Sequence, residues 1–311
     1  MATDMDDREL CEYALALSEN SLHLLTIGFK LLLAIVGIGA LLVAMCSENL
    51  SSTFHPNARL LLRMNILFVF VSCCGTILCE SIDLTRFVIL KAIRVDSVDA
   101  TDCAVPLITP LLAVCPKMFK IYGHVASTLF IAAWVAERLY ATIFIRTYEN
   151  TNLAIGIVTS VIAIVICTAI TVFRLLFMDY EQKMFYMGLT DKNRIAESVM
   201  YSLAAVEVAN VLVLGVLFAL NRSWRRRSDR LANSLSHKYQ IDENINAIAF
   251  VLPIAVLHCV FYMATSFLMP LLAFSRSTVV SRAIAAARLE FVPFYYVLFP
   301  LLLHLRTVAK R

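Results

Sequence analysis

The chain has 311 residues, of which 60% are apolar and 16% charged, and a formal net charge of +4. Soluble domains carry roughly 45–50% apolar and about 25% charged residues, so too little polar cover remains here to hide the apolar surface from water. A soluble enzyme, a disordered chain and a disulfide-rich secreted domain are excluded, and the expected class is an all-α membrane protein built as one seven-helix transmembrane bundle.

Residues 1–21 are acidic, with Asp4, Asp6, Asp7, Glu9, Glu12 and Glu19 and no apolar core. No cleavable signal peptide is expected there, and the first span serves as its own insertion signal. A spanning helix needs about 20 mostly apolar residues. Seven runs meet that length, at about 22–45, 60–82, 119–144, 153–177, 199–220, 245–274 and 283–305. They lack the alternation of barrel strands, so helices satisfy the backbone in lipid. Between the second and third runs, Pro106, Pro110 and Pro116 interrupt a half-apolar stretch.

Orientation is read from Lys and Arg in the short loops. The raw count is close to balanced, but the distribution is not. Loop 221–244 concentrates Arg222, Arg225, Arg226, Arg227, Arg230 and Lys238, the densest basic cluster and the hardest to translocate. The expectation is an extracellular N-terminus at 1–21, a basic cytoplasmic loop at 221–244 and a short cytoplasmic tail at 306–311. In that arrangement the two sequons, at Asn49 and Asn221, face the cytoplasm and stay unglycosylated.

At the inner end of the third run stand Glu137, Arg138 and Tyr140. A charged pair at a helix end sometimes does no more than snorkel to the interface. At the inner end of span three of seven it also fits a receptor lock, in which an acid restrains an Arg at rest and releases it on activation. Arg225, Arg226 and Arg227 in the basic loop fix topology and touch anionic lipid, and are candidates for contact with a G protein.

The stretch from Glu137 to Glu149 (ERLYATIFIRTYE), the stretch from Leu235 to Asn244 (LSHKYQIDEN) and the turn from Phe54 to Asn57 (FHPN) resemble the signatures of the alpha superfamily of nematode serpentine chemoreceptors. Class alpha/beta is the first match, with class beta and class alpha next. The resemblance implies a G-protein-coupled receptor in chemosensory neurons, placed in the plasma membrane with its N-terminus outside and carried to sensory cilia. The implied partners are a small-molecule chemical ligand, a heterotrimeric G protein and the lipid bilayer, with no nucleic acid. The chain departs from the rhodopsin pattern in span seven, which runs from Phe291 to Pro300 (FVPFYYVLFP) without an Asn-Pro-x-x-Tyr switch. Span six likewise lacks a Cys-Trp-x-Pro toggle; its prolines are Pro253 and Pro270.

Nine cysteines are present. Cys11, Cys103 and Cys115 fall on the outer side, where disulfides form, and the loop between spans four and five has none. A bridge among these three is the expectation, with the pairing open.

Ionisable residues inside spans are functional candidates because each is costly in hydrocarbon. They are Lys30, His124, Glu207, His258, Arg288 and Glu290. One reading is pairing within the bundle, Glu207 or Glu290 with Lys30 or Arg288. The sharper reading lines an outward-facing ligand pocket with Tyr122, His124, Glu207, His258 and Glu290, walled by Phe261, Tyr262 and Phe294. No metal or cofactor pattern is visible, and no H-E-x-x-H or nucleophile–base constellation suggests an enzyme. The alternative is an odorant-gated channel or transporter of inverted topology, for which the sequence offers neither a repeat nor a filter.

Overall fold

The computed structural model describes residues 7–46, 55–94, 105, 107–145, 147–148, 153–178, 180, 183–187, 195–230, 235–268, 271 and 278–308. Cys103 and the sequon at Asn49 lie outside them. The described residues form α1 (Asp7–Glu19), α2 (Ser21–Cys46), α3 (Pro56–Arg94), α4 (Pro110–Ile143), α5 (Ala154–Leu176), α6 (Ile195–Arg230), α7 (Leu235–Met263), α8 (Val279–Arg288) and α9 (Val292–Val308). Seven helical stretches are long and apolar enough to cross a membrane, the seventh being α8 and α9 together. The chain is a seven-helix membrane bundle.

Helix ends follow local chemistry. Asn20 separates α1 from α2, and its side-chain oxygen accepts the backbone N–H of His23 at 3.0 Å, satisfying one of the orphan donors of the first turn. α4 starts at Pro110, in the first turn where a missing N–H costs nothing. Pro116 sits inside α4 without ending it, so the helix begins nine residues before the expected edge at 119. The stretch expected as the loop 221–244 is helical over most of its length, as the end of α6 and the start of α7. Span seven breaks at Leu289–Phe291. Pro293 explains this, because its ring excludes the carbonyl four residues back and it has no N–H to give. The freed N–H of Phe291 donates to the Thr265 hydroxyl at 3.0 Å, within a π-helical turn at Ala264–Leu268 that ends span six.

α4 is the central helix, packed on α3, α5, α6 and α7. Its contact with α3 is close enough to need glycine at two points. A Cβ on Gly75 would collide with the backbone of Lys120, and one on Gly123 with the backbone of Ser72. The core runs through Phe130, Trp134, Tyr262, Tyr295, Tyr296 and Phe299, all buried. The outer faces of α2 and α5 show the opposite pattern: Leu25, Leu32, Val43, Ile157, Val161 and Val165 are exposed. A band of exposed aliphatic side chains is what a lipid-facing surface requires.

Candidate functional site

Three polar sites lie along α4, separated by apolar packing. The first is near its C-terminal end. Arg138 is 1% exposed and Glu137 fully buried. The Arg138 Nε donates to Glu137 Oε2 at 2.5 Å, and its Nη2 pairs with the other carboxylate oxygen. The Tyr148 hydroxyl accepts from Arg138 at 2.8 Å and donates to Glu137, while the guanidinium stands over the Tyr148 ring, 5.5 Å from its centroid. Burial holds the Tyr148 phenol well above its usual range, so the hydroxyl stays protonated and available as a donor. Nδ1 of His55 approaches the same hydroxyl at 3.1 Å.

The Arg138 Nη1 donates to the Asn244 amide oxygen at 3.3 Å. Asn244 in turn donates to Thr142 at 2.7 Å and to the Asn221 oxygen at 3.1 Å, and Asn221 donates to Thr142 at 3.0 Å. Arg138 is thereby tied through α4, α6 and α7. A small cavity of about 30 Å³, lined by His55, Arg138, Tyr148 and Asn244 among others, opens beside it. Asn221, the second sequon asparagine, is fully buried in this network.

Tyr140 is half-buried and packs on Phe144, ring centroids 4.6 Å apart. Arg225 pairs with Asp242 of α7 at 2.6 Å, whereas Arg226 and Arg227 are exposed. The candidate coupling residues therefore divide into a buried lock (Glu137, Arg138), a strut between α6 and α7 (Arg225) and a free basic surface (Arg226, Arg227).

The second site is in the middle of the bundle. Oγ of Ser127 donates to the Asn65 oxygen at 2.8 Å and lies 2.9 Å from Nε2 of His258. On the other side of the ring, His258 Nδ1 is 2.8 Å from Glu207 Oε1. That approach is close but not aligned as a hydrogen bond, and both Glu207 oxygens, the Tyr262 hydroxyl and the Tyr295 hydroxyl are buried with no hydrogen-bond partner. Tyr262 stacks on His258 at 3.7 Å and meets His124 at 4.0 Å, ring centre to ring centre.

The third site is a cavity of about 270 Å³ at the opposite end of the bundle from Arg138. Lys30 of α2 bridges Glu80 at 2.7 Å and Glu290 at 3.1 Å. Lys120 of α4 contacts the same two acids, Glu80 at 3.5 Å and Glu290 in a tighter pair. The break in span seven puts Glu290 where both lysines reach it. Segment 183–187 bridges the C-terminal end of α3 and the N-terminal end of α4. Its Met187 N–H donates to both oxygens of Asp83 at 2.9 and 3.0 Å, and its carbonyl accepts from Nζ of Lys117 at 3.0 Å. Met184 exchanges backbone hydrogen bonds with Ile108, both at 2.9 Å. Over this strap lies α1, through Lys183–Asp7 at 2.5 Å and the Tyr13–Phe185 ring contact at 5.7 Å. Burial raises the Tyr186 phenol above its usual range, keeping it neutral at the cavity wall.

Of the pocket residues expected from sequence, His124 and Glu290 line this cavity. Tyr122 does not: it faces α5 and meets Thr168 at 3.3 Å. Glu207 and His258 form the mid-bundle site instead, because their helical positions face Ser127 and Tyr262. None of the expected aromatic walls lines the cavity; Phe294 packs on Phe29 and Phe261 at the outside of the bundle. Lys117, Lys120, Glu80 and Asp83 are cavity residues that the sequence reading missed. Their signal was charge inside an otherwise apolar helix, obscured because α3 and α4 run past the expected span edges. Among the disulfide candidates, Cys11 is disulfide-bonded and Cys115 carries a free thiol. Cys115 is therefore corrected out of the bridge: it is exposed on α4.

Residues 8–311 match the protein family described as serpentine type 7TM GPCR receptor class ab chemoreceptor. Serpentine receptor class beta-6 of Caenorhabditis elegans is 25% identical over 254 residues, covering 81% of this chain and 72% of the relative. Serpentine receptor class beta-16 of the same organism is 26% identical over 271 residues, covering 82% and 72%.

Proposed function

Because the chain belongs to the class ab serpentine chemoreceptor family, we propose that it binds a small extracellular chemical in the cavity beneath α1 and activates a heterotrimeric G protein at the Arg138 end. The observation that carries this reading is that one helix holds both sites. Lys117, Lys120, Ile121, His124 and Val125 of α4 line the cavity, and Glu137 and Arg138 close the buried lock at the other end. At about 1.5 Å per residue, Lys117 and Arg138 are about 32 Å apart along the axis, about one membrane thickness.

The mechanism is a population shift. A ligand that binds one arrangement of the bundle more tightly favours it by that difference in affinity. His124, Tyr262 and His258 supply packed contact from the cavity floor to the mid-bundle site, where unpartnered buried oxygens leave room for a second hydrogen-bonding arrangement. At the inner end, release of Arg138 from Glu137 and Asn244 frees α6 and α7 from α4. The reading requires the N-terminus outside and Arg226 and Arg227 in the cytoplasm. It assigns the protein no catalysis, and it places it in the plasma membrane of sensory cilia.

Two measurements test it. Terminal tags in intact and permeabilised cells should show an accessible N-terminus and a hidden C-terminus; the reverse puts Arg138 outside and ends the G-protein reading. Arg138→Ala should abolish ligand-stimulated nucleotide exchange while surface expression persists. Unchanged exchange removes Arg138 from coupling.

A further inference from the structure

We propose that the cavity is built for a small organic acid whose carboxylate is received by Lys117, an assignment that rests on the cavity being the receptor's ligand site. The cavity wall holds three lysines and Arg174, and two of the lysines are already neutralised. Lys30 and Lys120 share Glu80 and Glu290, two cations with two anions. The remaining acid of the wall, Asp83, accepts the Met187 N–H with both oxygens and stands 4.0 Å from Arg86. Lys117 is left with a backbone carbonyl, that of Met187. An ammonium has three N–H donors, so this bond leaves two to face the cavity. A cation in such a setting needs an anion to offset its desolvation, and among the described residues no carboxylate contacts it.

The rest of the lining sets the shape of the acid. Ile121 and Val125 follow Lys117 at helical spacing on one face of α4, so an apolar stripe leads inward from the ammonium. Ile27, Val199 and Leu203 also line the cavity. A ligand with a charged head at Lys117 and an aliphatic body along that stripe satisfies both. The cavity, about 270 Å³, sets the scale at a short aliphatic acid, with heptanoate as the representative probe. A two-chain lipid does not fit, which favours a free acid over a membrane headgroup.

The test uses the full chain in nanodiscs of zwitterionic phosphatidylcholine, with thermal stabilisation and titration as readouts. The probes are straight-chain carboxylates of five to nine carbons, with heptan-1-ol and heptylamine as matched controls. Heptanoate should bind about tenfold or more tightly than heptan-1-ol, the difference expected for one charge-assisted hydrogen bond. Lys117→Gln should reduce heptanoate to the level of the alcohol, and Lys117→Arg should retain it. Should Lys117→Gln not fold, Val125→Trp provides the second variant: filling the stripe should abolish acid binding. Equal binding of alcohol or amine, indifference of heptanoate to Lys117→Gln or Val125→Trp, or no binding by any acid in the series overturns the assignment. Nucleotide exchange on a G protein in the same nanodiscs separates the two ideas. Acid binding without exchange leaves the acid site standing and sinks the receptor reading. Exchange driven only by neutral compounds sinks the acid site alone.

Discussion

The Arg138 guanidinium reaches the Asn244 side chain, 106 positions later in the chain, at 3.3 Å. The helix carrying the lock is therefore fastened to α7 by the same group that neutralises Glu137. A movement of the Arg138 side chain away from Glu137 would therefore also disturb its contact with α7.

Tyr148 tests how finely that lock is set. Tyr148→Phe keeps the ring under Arg138 but removes the hydroxyl between Arg138 and Glu137. Losing one buried hydrogen-bonding group costs about 1–3 kcal/mol, here charged against the resting arrangement. We expect ligand-independent nucleotide exchange to rise by about tenfold, with the melting temperature lowered. A basal rate equal to that of the native protein would make Tyr148 a packing residue only.

The α3–α4 seam gives a paired comparison. Gly123→Leu places a side chain into the backbone of Ser72, whereas nothing stands within 4 Å of a Cβ on Gly28. Gly123→Leu should abolish surface expression, and Gly28→Leu should leave it intact. Normal expression of Gly123→Leu would show that the two helices separate more readily than their packing implies.

The cluster of Lys30, Lys120, Glu80 and Glu290 should behave as a balanced set. Removing one member of a buried ion pair costs about 3–5 kcal/mol, while removing both members is often neutral. Lys30→Met and Glu290→Gln should each lower the melting temperature in detergent. The double variant, which leaves Lys120 with Glu80, should recover most of the loss. Simple additivity of the two single effects would mean the pairs act independently.

Cysteine accessibility separates Cys11 from Cys115. A membrane-permeable maleimide should label Cys115 in the native protein, and Cys11 only after reduction. Cys11→Ser should reduce stability by about 2–4 kcal/mol, read as a lower melting temperature, and Cys115→Ser should not. Labelling of Cys11 without reductant would contradict the bridge.

Hydropathy alone predicts seven membrane-crossing helices, the number long and apolar enough to cross among the described residues, because length and apolar content are what the bilayer demands. Their ends were harder to read. α3, α4 and α6 continue past the apolar run into residues whose polarity resembles loop, and their continuation is set by hydrogen bonding between turns. Pro110 interrupts a half-apolar stretch of sequence and starts a helix in the structure, while Pro293 marks the break that positions Glu290. Glu137 and Arg138 were legible because they are neighbours in sequence. Lys30 and Glu290, 260 positions apart, were recognised as costly charges, but their shared use of Glu80 and Lys120 depends on how four helices converge. Glu207 and His258 meet each other in the mid-bundle site and not on the cavity wall, since the direction a helical residue faces does not follow from counting residues.

The glycine seam also determines which parts of the bundle are free to move. Backbones in contact across Gly75 and Gly123 have no side chains between them to repack, so α3 and α4 behave as a stator. Span six ends in a π turn and span seven is severed at Glu290, so those helices hold the soft joints. A ligand-driven rearrangement of the kind proposed would leave α3 seated on α4 and fall on α6 through α9.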